Sequence, residues 1–232
     1  MRTERQGGTI YKVAIDNGWV SKNPFSTVKI HFEPVERDVL TKSELTALIQ
    51  TDMIFDRLEK MRDVFVFACF TGLAHCDVAG LTKENIITDE AGQVWLKTHR
   101  QKTSEMVDIP LLEIPQLIIK KYQGMKELNG KLLPTLTNSC SNLYLKEVAV
   151  RCGINKTLTF HMARHTFATT VTLSNGVPIE SVAKMLGHRN IRTTQIYAKI
   201  IKDKLAEDMS KLATRICGDY SIQTSNIAIH IS

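Results

Sequence analysis

Hydrophobic and polar residues are spaced along the chain in a pattern that predicts helices for most of its length. The sequence TKSE, Thr41 to Glu44, is a capping box that opens a helix through about Gln50. Leu58 to Phe70 is a longer, mostly apolar helix that the Thr71-Gly72 pair stops. After Pro110, apolar residues at helical spacing predict further helices at 112–123, 139–151, 160–174, 179–186, 190–197 and 199–213.

Two segments in the middle of the chain break this helical spacing and predict strands. Val94 to Thr98 and Met106 to Ile109 have the composition of short strands, and the polar sequence RQKTSE lies between them. A hairpin is therefore expected there. The predicted fold class is mainly α with a small antiparallel β-sheet, an α+β domain.

The first forty residues predict a separate segment. Ile10 to Trp19 is typical of the end of a helix, which NGWVSKNPF then breaks with its Asn-Gly and Asn-Pro pairs. Val28 to Asp38 favours an extended linker, because Pro34 and mixed charges oppose a helix. The main domain is therefore expected to start near Val39.

Composition narrows the function classes. A net charge of +6 favours an anionic partner such as nucleic acid, although the charge alone is a weak signal. The five cysteines never form CxxC, so neither a disulfide framework nor a zinc site is indicated, and a reducing cytoplasm is the simplest compartment. The sequence contains neither an apolar run long enough to span a membrane nor a phosphate-binding loop.

Candidate chemistry lies in HMARHTFATTV, which starts a predicted helix. His161 and Arg164 are three residues apart, so they share a face near the helix N-terminus, where an anion is favoured. A solvated first turn is the ordinary alternative. His165 points elsewhere and is expected to be a packing or capping histidine.

The segment IESVAKMLGHRNIRTTQIY allows two interpretations. It predicts two helices joined by a glycine-containing turn, which suits a helix-turn-helix with Arg189, Arg192 and Gln195 facing DNA. It suits equally a catalytic turn in which Tyr197 is the nucleophile. The local pattern leaves both open.

Four segments taken together resemble a known family. TGLAHCDV, RQKTSEMVDIPL, LTFHMARHTFAT and VAKMLGHRNIRTTQIYAKI look like the boxes of the tyrosine recombinases, the phage integrase family, in the family's order from about Val39 to Leu212. The resemblance implies a tyrosine recombinase catalytic-domain fold at 39–213. It further implies that residues 1–30 are the C-terminal remnant of a core-binding, DNA-binding helical domain, that 31–38 are a linker and that 214–232 are a tail.

The resemblance also implies a reaction. Such a protein is a site-specific recombinase that cleaves and rejoins DNA through a 3′-phosphotyrosine intermediate, without cofactor or metal. Tyr197 is similar to the nucleophile, and Lys102 in the hairpin to the general acid, although a lysine in a turn is normally a solvated charge. Arg164, His161 and His188 match the groups that surround the charged phosphate. The residues expected on DNA are Arg189, Arg192 and Lys199.

The partners implied are double-stranded DNA at specific recombination sites and a homotetramer on that DNA, with accessory DNA-bending or directionality proteins. The resemblance points to an integrase of a mobile element, such as a conjugative transposon or prophage, acting on the nucleoid of a prokaryote. No membrane partner is expected.

One position departs from the family pattern. Family members carry a phosphate-clamping arginine after TGL, and here that position is Ala74. Arg100 is the first candidate replacement, because residues at i and i+2 of a strand share a face and Lys102 follows at that spacing. Arg62 is the second, on the preceding helix, and His75 is adjacent. We expect Arg100→Ala to abolish cleavage with the fold intact.

The departure keeps two other functions open. A DNA-binding or regulatory protein that has lost catalysis would also tolerate Ala74, and the same tyrosine chemistry could relax supercoils without strand exchange. Asp77 occupies an acidic position that the family usually fills, where it orients active-site groups; an N-cap for the next short helix is the alternative.

Overall fold

A computed structural model describes residues 10, 13–21, 38–198, 209–210 and 212–214. The chain forms two compact units, Met1–Glu36 and Arg37–Ser232. In the first unit, residues 13–16 are helical and end in a turn at Asn17 and Gly18. The predicted linker before residue 38, the tail after residue 214 and most of the predicted helix at 199–213 lie outside the described residues.

Eight helices are described in the second unit, and they follow the predicted order. They are α1 Lys42–Gln50, α2 Asp56–Thr71, α3 His75–Gly80, α4 Glu113–Tyr122, α5 Asn138–Arg151, α6 Phe160–Thr166, α7 Ile179–Met185 and α8 Arg192–Ala198. The predicted capping box is confirmed: Glu44 N donates to Thr41 Oγ1 at 3.2 Å, and Thr41 N donates to Glu44 Oε2 at 2.7 Å. None of the described helices is long and apolar enough to cross a membrane.

A small antiparallel sheet lies between α3 and α4. Its strands are β1 Ile86–Thr88, β2 Val94–His99 and β3 Met106–Pro110, in the order β1-β2-β3. Leu96 pairs with Ile109 across the predicted hairpin, and both side chains are buried. The predicted fold class is thus confirmed, and β1 is a strand that the sequence pattern did not indicate.

The core is built around α2, which packs against α1, α4, α5 and α6. A second, smaller cluster lies beneath the C-terminal helices and consists of Phe167, Ala168, Leu173, Val182, Leu186 and Tyr197. This cluster matters for the site because it packs the segment that follows α6 against the region of α7 and α8.

The predicted helix at 160–174 has the expected length but a mixed geometry. It is α-helical to Thr166, becomes a π-helix over Phe167–Thr172 and ends in a 3₁₀ turn. Threonine side chains bond carbonyls along it: Thr169 Oγ1 donates to His165 O at 2.8 Å, and Thr172 Oγ1 donates to Phe167 O at 2.8 Å. Such π segments insert an extra residue into a helix and often occur at functional sites.

Candidate active site

Arg164 on α6 hydrogen-bonds to two of the four family-like segments, TGLAHCDV and VAKMLGHRNIRTTQIYAKI. Its side chain is buried, with Nη1 donating to Gly72 O at 2.6 Å and Nη2 donating to Leu186 O at 2.6 Å. The first carbonyl lies just beyond α2 and the second just beyond α7. The guanidinium thus joins the ends of two helices that are far apart in the sequence.

Steric crowding explains why glycine occupies the two positions beside this arginine. Gly72 has φ +68°, and a Cβ there would lie 2.4 Å from Phe167 Cδ1. Gly187 has φ +62°, and a Cβ there would lie 2.8 Å from Val107 Cγ2 and 2.9 Å from Arg100 Cγ. Only glycine combines this backbone conformation with such close approach.

Arg100 reaches the same place from the hairpin. Its backbone follows β2, and its Nη1 donates to Leu186 O at 2.9 Å, the carbonyl that Arg164 also uses. Two guanidiniums therefore converge on one acceptor. The expected strand spacing was wrong, however, because β2 ends at His99 and Lys102 lies in the turn beyond it.

Asp77 holds Arg100 in position. Its Oδ2 lies 2.8 Å from Arg100 Nε in a buried ion pair that lacks hydrogen-bond alignment, and its Oδ1 accepts from Gln101 N at 3.0 Å. The N-cap position of α3 is Ala74, and Asp77 lies in the first turn. The N-cap interpretation of Asp77 is therefore wrong, and the carboxylate orients the hairpin arginine.

His188 packs against Arg164 as a neutral ring. Its Nε2 is 2.8 Å from Arg164 Nη2, and its Nδ1 is 2.8 Å from Thr194 Oγ1. Because a guanidinium only donates, Nε2 accepts and Nδ1 carries the hydrogen. Burial, followed by the charges of Arg164 and Arg100, lowers the pKa of His188 to about 4.

The electrostatics of this group favour an anion. Burial and the neighbouring Arg100 lower the pKa of Arg164 to about 10, while Tyr197 and Asp77 act in the opposite direction. Two cations this close oppose each other's charge, and Asp77 is the carboxylate that forms an ion pair with Arg100. A bound phosphate would relieve this repulsion.

Tyr197 on α8 is buried beside these groups, with 2% of its surface exposed. Its hydroxyl lies 3.0 Å from His165 Nδ1, and the two ring centroids are 5.4 Å apart. His165 is buried, as expected for a packing histidine, and it also contacts the candidate nucleophile, which was not predicted. Nothing in the sequence distinguished it from a core histidine.

His161 lies one turn before His165 and is exposed. Their ring centroids are 4.4 Å apart in an edge-to-face arrangement. His161 is thus placed at the outer edge of the site, next to the histidine that contacts Tyr197.

Several other predicted residues stand outside this group. Lys102 is exposed in the hairpin turn, and Arg192 is exposed on α8. Arg62 donates to Asp63 Oδ1 at 2.7 Å and to Thr51 O at 2.9 Å, so it caps the C-terminal end of α1. Its role there favours Arg100 as the replacement arginine. Lys199 lies outside the described residues.

Arg189 and His75 are engaged with other parts of the protein. Arg189 forms an ion pair with Glu105 and donates to Thr103 O at 3.1 Å, so it binds the hairpin turn. His75 Nε2 is 3.1 Å from Ser141 Oγ, and burial lowers its pKa. His75 therefore contacts α5 rather than supplying the missing charge.

Comparison with known proteins assigns the family. The pattern of the family described as "Phage integrase family" matches residues 38–203, which is most of the chain. The chain belongs to the phage integrase family. The match spans the residues of the site described above, from Gly72 to Tyr197.

The chain is also similar in sequence to curated relatives and in fold to solved structures. Tyrosine recombinase XerD of Staphylococcus aureus is 28% identical over 211 residues, which cover 85% of this chain and 70% of XerD. The Tn1549 transposon integrase in complex with a circular intermediate DNA has a similar fold, with a TM-score of 0.66 at 20% identity over 91% of this chain and 78% of that one.

A lambda integrase tetramer bound to a Holliday junction is also similar in fold. Its TM-score is 0.64 at 17% identity, and the match covers 82% of this chain but only 56% of the integrase. The chain thus spans little more than half of that integrase.

Proposed function

We propose that this chain is a site-specific DNA recombinase that cleaves and rejoins DNA through a 3′-phosphotyrosine at Tyr197. The observation that carries the proposal is the convergence of Arg100 and Arg164 on Leu186 O, with His188 and Tyr197 against Arg164. Phosphoryl transfer needs such donors around the nonbridging oxygens, where negative charge develops.

Each residue has a step in this reaction. A scissile phosphate placed at the two guanidiniums would accept from Arg100 and Arg164, whose planar donors suit phosphate oxygens. Tyr197 attacks phosphorus, and the 5′ oxygen leaves with a proton from Lys102, which the exposed hairpin turn can present to the DNA. His161, at the outer edge of the site, would contact the phosphate on DNA binding.

Arg100 takes the role of the arginine that the family places at the position of Ala74. Asp77, three residues beyond Ala74, holds the Arg100 guanidinium beside Arg164. This arrangement supports catalysis over the DNA-binding regulator as the function of the chain.

We extend the proposal to the assembly and its biological context. The similarity to tyrosine recombinase XerD supports recombination, the Tn1549 transposon integrase supports integration or excision of a mobile element, and the lambda integrase tetramer supports a homotetramer on recombining DNA. In this proposal 39–213 form the catalytic domain, and 1–30, 31–38 and 214–232 keep their predicted roles. Arg192 and Lys199 would contact the DNA backbone.

Covalent capture tests the proposal. A pool of nicked duplexes with a random central sequence, in which the cleaved strand end diffuses away, should trap a protein–DNA adduct that resists denaturation. Tyr197→Phe should bind the same DNA and form no adduct. DNA binding by the wild type without any adduct would instead support the regulatory function, and an adduct that persists in Tyr197→Phe would exclude this nucleophile.

A further inference from the structure

The nucleophile needs a group that accepts its proton, and one histidine is placed to do so. We propose that His165 is the general base for Tyr197, a role that depends on the proposed recombinase function. His165 Nδ1 lies 3.0 Å from the Tyr197 hydroxyl, and 4% and 2% of the two residues are exposed. The contact is thus a direct hydrogen bond shielded from bulk water.

The charge of the neighbouring arginine is consistent with this role. Tyr197 raises the pKa of Arg164, so the guanidinium and the phenol oxygen attract each other. A guanidinium has only donors, so it presents only hydrogens to the phenol oxygen and does not compete for the phenol proton. In the proposal the phenol donates to His165 Nδ1, and the ring hydrogen of His165 is on Nε2.

The half-buried imidazole of His188 is not available for this step. The Nε2 lone pair of His188 accepts from Arg164 Nη2, and its Nδ1 is directed to Thr194 Oγ1. Its pKa of about 4 also makes it a weak base. Arg164 stabilises the developing phenolate, and His165 takes the proton.

The step balances as follows. The Tyr197 O–H bond breaks, its proton goes to His165 Nδ1, and the phenolate oxygen forms a bond to phosphorus. The bond from phosphorus to the 5′ oxygen breaks, and that oxygen takes a proton from Lys102. In the rejoining step the 5′ hydroxyl returns its proton to Lys102 as its oxygen bonds to phosphorus. The bond from phosphorus to Tyr197 breaks, and the proton on His165 returns to the Tyr197 oxygen.

Two substitutions separate a base from a residue that only positions the phenol. His165→Ala removes both functions. His165→Asn places an amide near the position of Nδ1, so it can still bond the phenol hydroxyl but cannot take its proton. We expect both variants to lower the rate of adduct formation by about 10²- to 10⁴-fold, the usual contribution of a general base. Near wild-type cleavage by His165→Asn would overturn the proposal.

A modified substrate shows which half of the reaction is affected. A duplex with sulfur in place of the bridging 5′ oxygen releases a thiolate, which needs no general acid because a thiol is far more acidic than an alcohol. This duplex should restore cleavage to Lys102→Ala but not to His165→Asn. Restoration of both variants would place His165 on the leaving group and refute its assignment to the nucleophile.

Controls distinguish the loss of a general base from misfolding and from failure of the proposed recombinase function. Thermal unfolding and binding of uncleaved DNA should show that His165→Asn is folded, and added imidazole should raise the rate of His165→Ala. If the wild type forms no Tyr197 adduct, the recombinase function itself fails. If the wild type forms one and the His165 variants form it as fast, only the base assignment fails.

Discussion

Removing the Arg100 side chain tests whether Arg100 replaces the phosphate-clamping arginine that family members carry at the position of Ala74. Arg100 and Arg164 both donate to Leu186 O, so each supplies one of the two guanidiniums at the proposed phosphate site. Loss of one such donor typically lowers the rate about 10²- to 10³-fold, or about 2.7–4 kcal/mol of transition-state stabilisation. We expect this loss in the rate of adduct formation by Arg100→Ala.

The structure adds that this variant, although expected to fold, should be less stable than the wild type. Arg100 forms an ion pair with Asp77, whose side chain is 1% exposed. Removing one partner of a buried pair costs about 3–5 kcal/mol. We expect the lower part of that range, because Gln101 N still donates to the other Asp77 oxygen at 3.0 Å.

A matched double variant separates the two effects. Asp77→Asn retains an acceptor for Gln101 N and carries no charge, so Arg100→Ala/Asp77→Asn should recover much of the lost stability in urea unfolding. It should not recover cleavage of the nicked duplex. Cleavage by either Arg100 variant at the wild-type rate would refute the replacement of the missing arginine by Arg100.

Three further outcomes are expected. Because the pKa of His188 is lowered to about 4, its contribution to stability should be complete above about pH 6.5 and should be lost as the pH falls from 6.5 toward 4. In His188→Gln, the free energy of unfolding measured in urea should depend less on pH over this range. Gly187→Ala should be destabilised more than Gly153→Ala in thermal unfolding: both glycines have similar positive φ, but a Cβ meets nothing within 4 Å at Gly153. A double-mutant cycle on Arg189 and Glu105 should give a coupling of about 0.2–1 kcal/mol, as for other exposed ion pairs, and a coupling indistinguishable from zero would contradict this expectation.

The elements that local sequence specifies were predicted well. Thr41 and Glu44 satisfy each other's backbone amides within one turn, and Gly72 ends α2 because its left-handed conformation suits no other residue there. These features depend on neighbours in the chain, so the sequence alone was sufficient to predict them. The hairpin between β2 and β3 was predicted for the same reason.

Contacts between residues far apart in the sequence could not be predicted from the local sequence. The ion pair between Asp77 and Arg100 joins α3 to the hairpin, and the contact between His165 and Tyr197 spans 32 positions. The sequence around these four residues does not indicate which of them are in contact. The resemblance to the family supplied most of the site residues, whereas the partners of Arg100 and Tyr197 required the fold.

The carbonyl of Leu186, which both arginines share, has a consequence for how such a site can change in evolution. A backbone oxygen is present whatever side chain the residue carries, so an arginine arriving from another element can dock on it without a compensating mutation. In this chain that arginine is Arg100, two positions before Lys102. In the proposed mechanism, charge stabilisation by Arg100 and proton donation by Lys102 would therefore belong to one hairpin, and movement of that hairpin away from the DNA would stop both together.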